Sequence, residues 1–362
     1  MINKPSLIVD KEKCIRNIRK MKAKADKANV LFRPHFKTHQ SASIGEWFRE
    51  EGVKAITVSS ISMAKYFADN GWKDIAVAFP LNILEMEEIN ALAERITLNL
   101  LVESVGSVRF LKHYLSSNIN LYIKIDTGYH RTGIWCENIE EIQNVVDEIK
   151  GTEKTQFIGF LTHSGQNYHA KDEEEIRNNH GEVLRIMSEL KDYFKKDNPN
   201  IISSIGDTPS CSIVEEYYGI DELRPGNFVF YDLDGFIQGR CDDDELAVAM
   251  ACPVVAKHDE RKEIIIYGGG VHFSKEYIDS GDGNKLYGSI VKFDGDEWTP
   301  IIAGGYLASL SQEHGVLKVS EELFKEIEIG ELLGIVPVHS CMTVSCISDM
   351  FTTKGEKLDL FK

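Results

Sequence analysis

Short apolar segments rich in Val, Ile and Phe alternate with longer amphipathic segments through the first two thirds of the chain. This alternation is typical of repeated βα units, in which helices cover a buried parallel sheet. Three of the longer segments, 83–95, 139–149 and 173–194, have helical periodicity. The eight strand candidates are 29–35, 54–59, 74–79, 97–102, 121–126, 156–163, 201–205 and 227–231. Eight such repeats predict an α/β fold of the (β/α)8, TIM-barrel type rather than an open doubly wound sheet.

The sequence pattern changes after about residue 235, where glycines and residues with high β-propensity dominate. Segments 247–255, 263–267, 289–293 and 336–347 predict strands separated by turns. A chain of 362 residues with 43% hydrophobic composition is long enough for two cores. We therefore predict a barrel domain over residues 1–235 and a C-terminal, mostly β domain over residues 236–362.

Composition narrows the class of ligand. The formal net charge of −16 argues against a nucleic-acid partner, because few positive clusters are available to neutralise phosphates. No apolar run approaches the roughly 20 residues that cross a bilayer, and no signal-peptide pattern is present. Seven scattered cysteines without a C-x-x-C pair indicate reduced thiols. We expect a cytoplasmic protein that binds a small molecule and not a membrane.

The ends of the strand candidates contain residues suited to catalysis. In a barrel of this type the chemistry lies at the carboxyl ends of the strands. The first candidate leads into Lys37, the fifth leads to Arg131, and the sixth leads into His163 and Tyr168. A lysine amine can hold a carbonyl-bearing cofactor as a Schiff base. Taken singly, Lys37 is more typical of a surface lysine, whereas His163 and Tyr168 are as typical of a core histidine and a rim tyrosine as of a site.

A turn rich in glycine and hydroxyl side chains, 206–210, follows the seventh strand candidate and precedes a predicted helical stretch at 212–217. Backbone amides, the Thr208 hydroxyl and a helix N-terminus suit a phosphate group. The same sequence is also typical of a plain helix N-cap. Arg224 follows on a turn before the eighth strand candidate, where its ordinary role would be a surface ion pair.

Together these segments resemble the fold-type III pyridoxal-phosphate enzymes, and within them the D-serine dehydratase and D-threonine aldolase branch. The resemblance covers nearly the whole chain and implies pyridoxal 5'-phosphate as the cofactor. It also implies a barrel followed by a β domain, and a homodimer with the site near the interface. The segments that carry it are 33–39, 124–133, 162–169, 206–210, 224–232, 311–315 and 337–341.

The family's functional residues can be carried over to matching positions of this sequence. Lys37 resembles the catalytic lysine that holds the cofactor. His163 resembles the histidine stacked on the pyridine ring, and Arg224 resembles the arginine near the ring nitrogen. By the same resemblance, the other expected cofactor-binding residues are Arg131, Gln166, Tyr168, Gly206, Thr208, Gly226, Asn227 and Tyr231.

A pair of metal-binding residues is expected in the C-terminal domain. His339 and Cys341 are two residues apart in a strand candidate, which predicts that their side chains share one face. Imidazole and thiolate are good zinc ligands, although a lone His-x-Cys often occurs by chance. In the dehydratases of this branch a His-x-Cys pair at this position holds zinc, whereas the aldolases tend to have His with an aspartate. The resemblance therefore implies a divalent metal, with zinc as the expected ion.

The resemblance favours a lyase that dehydrates a D-β-hydroxy amino acid to a keto acid and ammonia. D-Serine is the first substrate candidate, and D-threonine and D-threo-3-hydroxyaspartate are close analogues. One alternative is a D-threonine aldolase, which would release glycine and an aldehyde. The others are an amino-acid racemase, which would need a second base, and a non-catalytic pyridoxal-phosphate carrier.

Overall fold

The computed structural model of the chain describes residues 2–279 and 283–362. These residues form two compact units. The barrel unit comprises residues 20–37 and 48–226, and the β unit comprises residues 1–19, 38–47 and 227–362. No helix in the described part of the chain is both long and apolar enough to span a bilayer.

The barrel unit contains a ring of parallel strands. A parallel bridge between His35 and Thr57 closes the ring. His35 lies just after the first strand in the spatial order given below, and Thr57 lies in the last strand of that order. The short strand Ile134–Trp135 pairs with one of them outside the ring. In spatial order the ring consists of Leu31–Phe32, Glu222–Leu223, Ile202–Ile205, Thr155–Leu161, Ile119–Asp126, Thr97–Val102, Asp74–Pro80 and Ile56–Val58. The predicted eight-stranded barrel is confirmed.

Helices alternate with these strands, as the βα pattern predicts. The helix Ile139–Lys150 begins at Asn138, whose side chain accepts a hydrogen bond from the Glu141 amide, and it buries an aliphatic stripe. The predicted helices at 139–149 and 173–194 are confirmed, and the one at 83–95 begins as a 3-10 turn. Up to residue 226 the α-helices are Lys11–Lys27, Ala42–Glu50, Ile61–Asp69, Met86–Ala93, Val105–Tyr114, Ile139–Lys150, Glu173–Lys195 and Thr208–Ile213, with 3-10 helices at Ile83–Glu85 and Gly165–His169.

The eighth predicted strand, 227–231, is wrong. This segment begins with the 3-10 helix Asn227–Val229, and the eighth barrel strand is Glu222–Leu223. Residues 228–231 are apolar and are buried in the folded protein. Periodicity alone cannot distinguish a short buried turn of this kind from a strand. The sequence pattern misses the true strand because that strand contains Glu222, and a carboxylate in a sequence ordinarily indicates a solvent-facing position.

The β unit is built on a mainly antiparallel sheet. In spatial order its strands are Glu263–Tyr267, His314–Val319, Gly305–Leu310, Gly288–Asp294, Leu332–Pro337, Val248–His258, Ser6–Val9, Met350–Thr352 and Lys357–Leu358. Glu297–Trp298 pairs with Gly288–Asp294, and Ile278–Asp279 forms a separate pair with Lys285–Leu286. The predicted strands at 247–255, 263–267 and 289–293 are confirmed. The unit's helices are Leu233–Ile237, Gly270–Phe273, Glu321–Glu326 and Ser340–Cys346, with 3-10 helices at Asn227–Val229 and Asp243–Glu245.

Two features of the β unit differ from the sequence pattern. The strand Ser6–Val9 pairs with Val248–His258 and Met350–Thr352, although residues 1–235 are predicted to form the barrel. The three apolar residues of this short strand suit either sheet, so only long-range pairing decides which sheet it joins. The domain boundary near residue 235 stays a prediction. The predicted strand at 336–347 is wrong, because the strand ends at Pro337 and the helix Ser340–Cys346 follows.

The C-terminal segment caps the helix Ala42–Glu50. The Asp359 carboxylate accepts hydrogen bonds from the amides of Ala42 at 2.9 Å and Ser43 at 2.8 Å. It also accepts one from the Ser41 hydroxyl at 3.0 Å. The first amides of a helix have no partner within the helix, so a carboxylate distant in sequence satisfies them here.

We expect Asp359→Ala to lower the free energy of unfolding by about 1–2 kcal/mol, the usual cost of losing a helix cap. Chemical denaturation measures this change. Glu356→Ala, which removes an exposed acid from the same segment, is the control. A loss for Asp359→Ala no larger than that of the control would contradict the capping role.

Candidate functional site

Lys37 lies two residues after the bridge that closes the barrel. The bridge fixes His35 to Thr57, and the Lys37 amide donates a hydrogen bond to His35 Nδ1 at 3.3 Å. The Lys37 side chain is exposed, and its charge acts on the imidazole of His163. The lysine therefore lies at the strand end where the sequence predicts it.

His163 follows the strand Thr155–Leu161 and is held neutral. Its Nδ1 lies 2.9 Å from the Gly206 carbonyl oxygen, and since a carbonyl only accepts, Nδ1 carries the proton. Burial, together with the charges of Lys37 and Arg131, lowers the pKa of His163 to about 3 against the opposing effect of this hydrogen bond. The hydrogen bond therefore holds a neutral imidazole in one orientation.

The turn after the strand Ile202–Ile205 contains the predicted phosphate-binding residues Gly206 and Thr208. A side chain at Gly206 would place its Cβ 2.6 Å from the backbone of Arg224, so only glycine allows this close approach. The Thr208 amide donates to Tyr168 Oη at 3.3 Å. Asp207 caps the helix Thr208–Ile213 by accepting from the Ser210 amide at 2.8 Å, and so the helix begins earlier than the predicted 212–217.

Two buried polar atoms in this region test whether the cofactor fits. Among the residues that the structure describes, Thr208 Oγ1 and Gln166 Oε1 are buried and have no hydrogen-bond partner. Buried polar groups nearly always have one, so an unpartnered hydroxyl beside a helix N-terminus fits a phosphate oxygen. Ser210, by contrast, donates its hydroxyl to Asp207 at 2.6 Å.

Arg224 is a buried cation. Its Nε donates to Ser204 Oγ at 2.6 Å, and its Nη2 donates to the Thr162 carbonyl oxygen at 2.5 Å. Burial lowers the pKa of Arg224 to about 10, although the Glu222 carboxylate opposes this change. Arg224 is therefore still charged at neutral pH and has a fixed orientation, which a surface arginine would not have.

The sequence pattern did not identify Lys124 as part of the site. Its side chain is 6% exposed, and its Nζ donates to the Ile125 carbonyl oxygen at 3.1 Å. Burial, and then the charges of Arg224 and Arg131, lower the pKa of Lys124 to about 7. The effect of these two positive charges on Lys124 indicates a positive electrostatic potential, which suits an anionic cofactor. The available signal was a lysine inside the strand candidate 121–126, flanked on both sides by apolar residues.

Arg131 lies at the same end of the barrel but is exposed. Its guanidinium lies 5.0 Å from the centre of the Tyr129 ring, a cation–π contact. The ring of Tyr129 in turn makes an edge contact with His163, at 6.0 Å between ring centres. The structure thus links Arg131 to His163 through an aromatic residue that the sequence pattern left without a role.

The His339–Cys341 pair lies in the β unit. His339 is the N-cap residue of the helix Ser340–Cys346, so the prediction that the pair shares one face of a strand is wrong. Pro337 ends the strand, and the helix turn then determines which way both side chains point. Cys341 Sγ lies 3.2 Å from Thr38 Oγ1, and the His339 ring nitrogen Nδ1 is hydrogen-bonded to the Glu276 carboxylate.

The surroundings of this pair favour a cation. Burial disfavours the charged imidazolium, but hydrogen bonds to Cys341 and Glu276 raise the pKa of His339 to about 11. An imidazole and a thiol in a negative environment fit a zinc ion by the chemistry of the donors. In the described part of the chain, no group of three or more His, Cys, Asp or Glu side chains is arranged to hold a metal ion. The pair therefore offers two protein ligands.

Three predicted cofactor contacts, Gly226, Asn227 and Tyr231, stay predictions. Gly226 is the last residue of the barrel unit, and the other two belong to the β unit. The Asn227 side-chain amide donates to Asp232 Oδ2 at 2.7 Å and lies 3.7 Å from Cys341 Sγ. Tyr231 is buried, with a backbone φ of 48°.

Comparison with known proteins gives two family matches. Residues 9–234 match the alanine racemase N-terminal domain, and residues 247–353 match a putative serine dehydratase domain. The chain is 28% identical to the D-serine dehydratase of Dictyostelium discoideum, over 96% of this chain and 92% of that protein.

Solved structures share the fold. A mutant of D-threo-3-hydroxyaspartate dehydratase, solved in the metal-free form, superposes with a TM-score of 0.92 at 22% identity and covers 99% of this chain and 98% of its own. The D-threonine aldolase of Filomicrobium marinum has a TM-score of 0.84 at 20% identity, covering 99% and 96% of the two chains.

The buried Lys124 predicts a specific pH dependence of stability. In the folded chain its pKa is about 7, whereas an unfolded lysine titrates near 10.4. Between these values the unfolded chain binds more protons, so stability should rise with pH by about 1.4 kcal/mol per pH unit and lose this slope below pH 7.

The measurement is the free energy of unfolding of the cofactor-free chain from pH 6 to 10, for wild type and Lys124→Met. The wild type should gain stability relative to the variant as pH rises through this window. Lys112→Met, which removes an exposed lysine, controls for the general effect of losing a charge. A constant difference between wild type and Lys124→Met would contradict the lowered pKa.

Proposed function

Because the chain belongs to the fold-type III pyridoxal-phosphate enzymes, with an alanine racemase-type barrel followed by a serine dehydratase domain, we propose that it is a lyase of D-β-hydroxy amino acids that depends on pyridoxal phosphate and a divalent metal. D-Serine is the first substrate candidate, and its dehydration would give pyruvate and ammonia. D-Threonine and D-threo-3-hydroxyaspartate differ from it at the β-carbon and are close analogues. The D-serine dehydratase relative supports this choice, since the match extends over nearly both chains.

The observation that carries the proposal is the position of His339 and Cys341, two residues apart at the start of one helix, inside the segment that matches the serine dehydratase domain. A thiolate is a soft ligand and prefers zinc over harder divalent ions. The aldolases of this branch tend to have an aspartate where this chain has Cys341. Cysteine at this place therefore favours dehydration.

The barrel unit supplies the residues for the cofactor. When bound, pyridoxal phosphate provides a conjugated ring that accepts electron density from the α-carbon of the substrate. Lys37 would hold the cofactor and, once released, take the α-proton. With the cofactor bound, the fixed positive charge of Arg224 would keep the ring nitrogen unprotonated, the neutral His163 would lie beside the ring, and the Thr208 hydroxyl would donate to the phosphate.

The β unit supplies the residues for the metal. His339 and Cys341 would hold zinc, which provides a Lewis acid for a departing β-hydroxyl group. Two protein ligands leave coordination positions for water and substrate, as a catalytic rather than a structural zinc requires. By its resemblance to the same family we propose a homodimer, which light scattering would test.

D-Threonine aldolase is the second candidate, because the solved aldolase shares the fold over nearly the whole chain. Both reactions begin with the same cofactor and differ in the bond that breaks. Dehydration breaks the bond between the β-carbon and its oxygen, whereas the aldolase reaction breaks the bond between the α- and β-carbons. The released products therefore decide between them.

The main test is a product assay with purified protein and D-serine, D-threonine and the L-enantiomers, with and without a metal chelator. We expect keto acid and ammonia from a D-substrate, loss of this activity with chelator, and recovery with zinc. Lys37→Ala should lower the rate by more than 10³-fold, because both the cofactor attachment and the base are lost. Glycine and an aldehyde would move the assignment to aldolase, and turnover of neither kind would leave only the carrier or racemase alternatives.

The Glu276 carboxylate should strengthen the proposed metal pair. Glu276 is hydrogen-bonded to the imidazole of His339, as carboxylates commonly are to metal-binding histidines. We expect Glu276→Gln to weaken zinc binding about 10- to 100-fold, measured by competition with a coloured chelator. Glu313→Gln, which alters an acid 3.7 Å from His272 Nε2, is the matched control. Equal zinc affinity in both variants would contradict a role for Glu276.

A further inference from the structure

We propose that Ser204 and Glu222 are positioning residues that aim the Arg224 guanidinium at the ring nitrogen of the cofactor. This inference rests on the proposed function, because it assumes that the pyridine ring lies against Arg224. It goes beyond that function by assigning two residues that touch neither cofactor nor substrate. They would act through Arg224 alone.

Ser204 joins the arginine to the carboxylate. Its hydroxyl donates to Glu222 Oε1 at 2.6 Å and accepts from Arg224 Nε at 2.6 Å. An ionised carboxylate can only accept, so the single hydroxyl proton of Ser204 points to Glu222. The lone pairs of Ser204 are thereby left facing the Arg224 Nε–H. The direction of this chain of hydrogen bonds follows from the chemistry of its members.

The guanidinium is held on two of its three nitrogens. Nε bonds Ser204, and Nη2 bonds the Thr162 carbonyl oxygen at 2.5 Å with a longer contact to the Ser204 carbonyl oxygen at 3.4 Å. No hydrogen bond of Nη1 is seen among the described residues. Since a planar guanidinium fixed at two nitrogens cannot rotate, Nη1 has a set direction and is the nitrogen left for a ligand.

Glu222 is itself rigidly held. It has no exposed surface (0%), and its Oε2 accepts from Arg33 Nε at 2.5 Å. The Tyr122 hydroxyl donates to its Oε1 at 3.1 Å. Arg33 in turn donates to Asp74 at 2.7 Å. The Glu222 carboxylate therefore has a fixed position on the barrel wall. Its hydrogen bond with Ser204 fixes the hydroxyl group that orients Arg224.

Glu222 also bears on the charge of Arg224. Burial lowers the pKa of Arg224, and the Glu222 carboxylate is the largest opposing influence. Glu222 thus helps to keep the arginine positive in a buried place. Removing Glu222 would also leave the charge of Arg33 without its partner. That substitution would therefore change the stability of the protein as well as the position of Arg224. Ser204 is the better residue to change, because the Arg33–Glu222 pair remains.

The experiment compares Ser204→Ala, Ser204→Thr and Ser203→Ala in the full-length chain. Ser203 is the adjacent residue on the strand Ile202–Ile205, so its side chain lies on the other face, where the hydroxyl donates to the Met187 carbonyl oxygen at 3.3 Å. The probe is pyridoxal phosphate labelled with 15N in the ring. The readouts are the 15N chemical shift of the bound ring nitrogen, the dissociation constant of the cofactor and the melting temperature.

We expect Ser204→Ala to shift the ring-nitrogen resonance and to weaken cofactor binding about tenfold, the effect of one lost hydrogen bond to a charged group. Ser204→Thr, which keeps the hydroxyl, should restore both values toward wild type. Ser203→Ala should leave the resonance unchanged even if the melting temperature falls. This difference separates positioning from a general structural role.

An unchanged resonance and affinity in a folded Ser204→Ala would overturn the inference, as would equal shifts in Ser204→Ala and Ser203→Ala. Arg224→Lys distinguishes these results from failure of the proposed function. If wild type binds the cofactor and Arg224→Lys moves the ring-nitrogen resonance while Ser204→Ala does not, only the positioning role fails. If wild type does not bind the cofactor, or Arg224→Lys leaves the resonance in place, the proposed function fails at this step.

Discussion

A fully buried carboxylate, that of Glu222, is the constraint on which the barrel interior depends. A charge without water is costly unless it is paired and hydrogen-bonded, and Glu222 meets this requirement with Arg33, Tyr122 and Ser204. These partners lie on or beside different strands, so they meet only when the ring of strands closes in one register. The charge of Glu222 is therefore satisfied only in the folded arrangement of these strands.

The same network connects the barrel to its candidate site. Ser204 shares its hydroxyl between Glu222 and Arg224, and Arg224 stands with Lys124 and Arg131 in a region of mutual repulsion. Like charges this close repel one another, and an anion bound among them would relieve the repulsion. The Thr208 hydroxyl, which has no hydrogen-bond partner among the described residues, lies at the same end of the barrel strands. These observations support the proposed phosphate site.

The β unit has the opposite electrostatics. Around His339, the neighbouring Cys341 and Glu276 favour positive charge strongly enough to outweigh burial. One chain therefore offers an anion-accepting site on its barrel and a cation-accepting pair on its β unit. Phosphate-bearing cofactor and divalent metal are the two ligands that the proposed dehydratase reaction requires, and each has residues of suitable charge.

Sequence alone determined the βα alternation and seven of the eight barrel strands, because periodicity is local along the chain. The candidate residues Lys37, His163, Arg224, His339 and Cys341 came from the resemblance to a known family. Only the tertiary structure decided that the eighth strand is Glu222–Leu223, that Ser6–Val9 joins the other sheet and that Ser340–Cys346 is helical. The reason is sequence separation: Arg33 and Glu222 are 189 residues apart, and Asp359 lies 317 residues from the Ala42 amide that it caps. A buried charge resembles a surface charge in sequence until folding brings its partner to it.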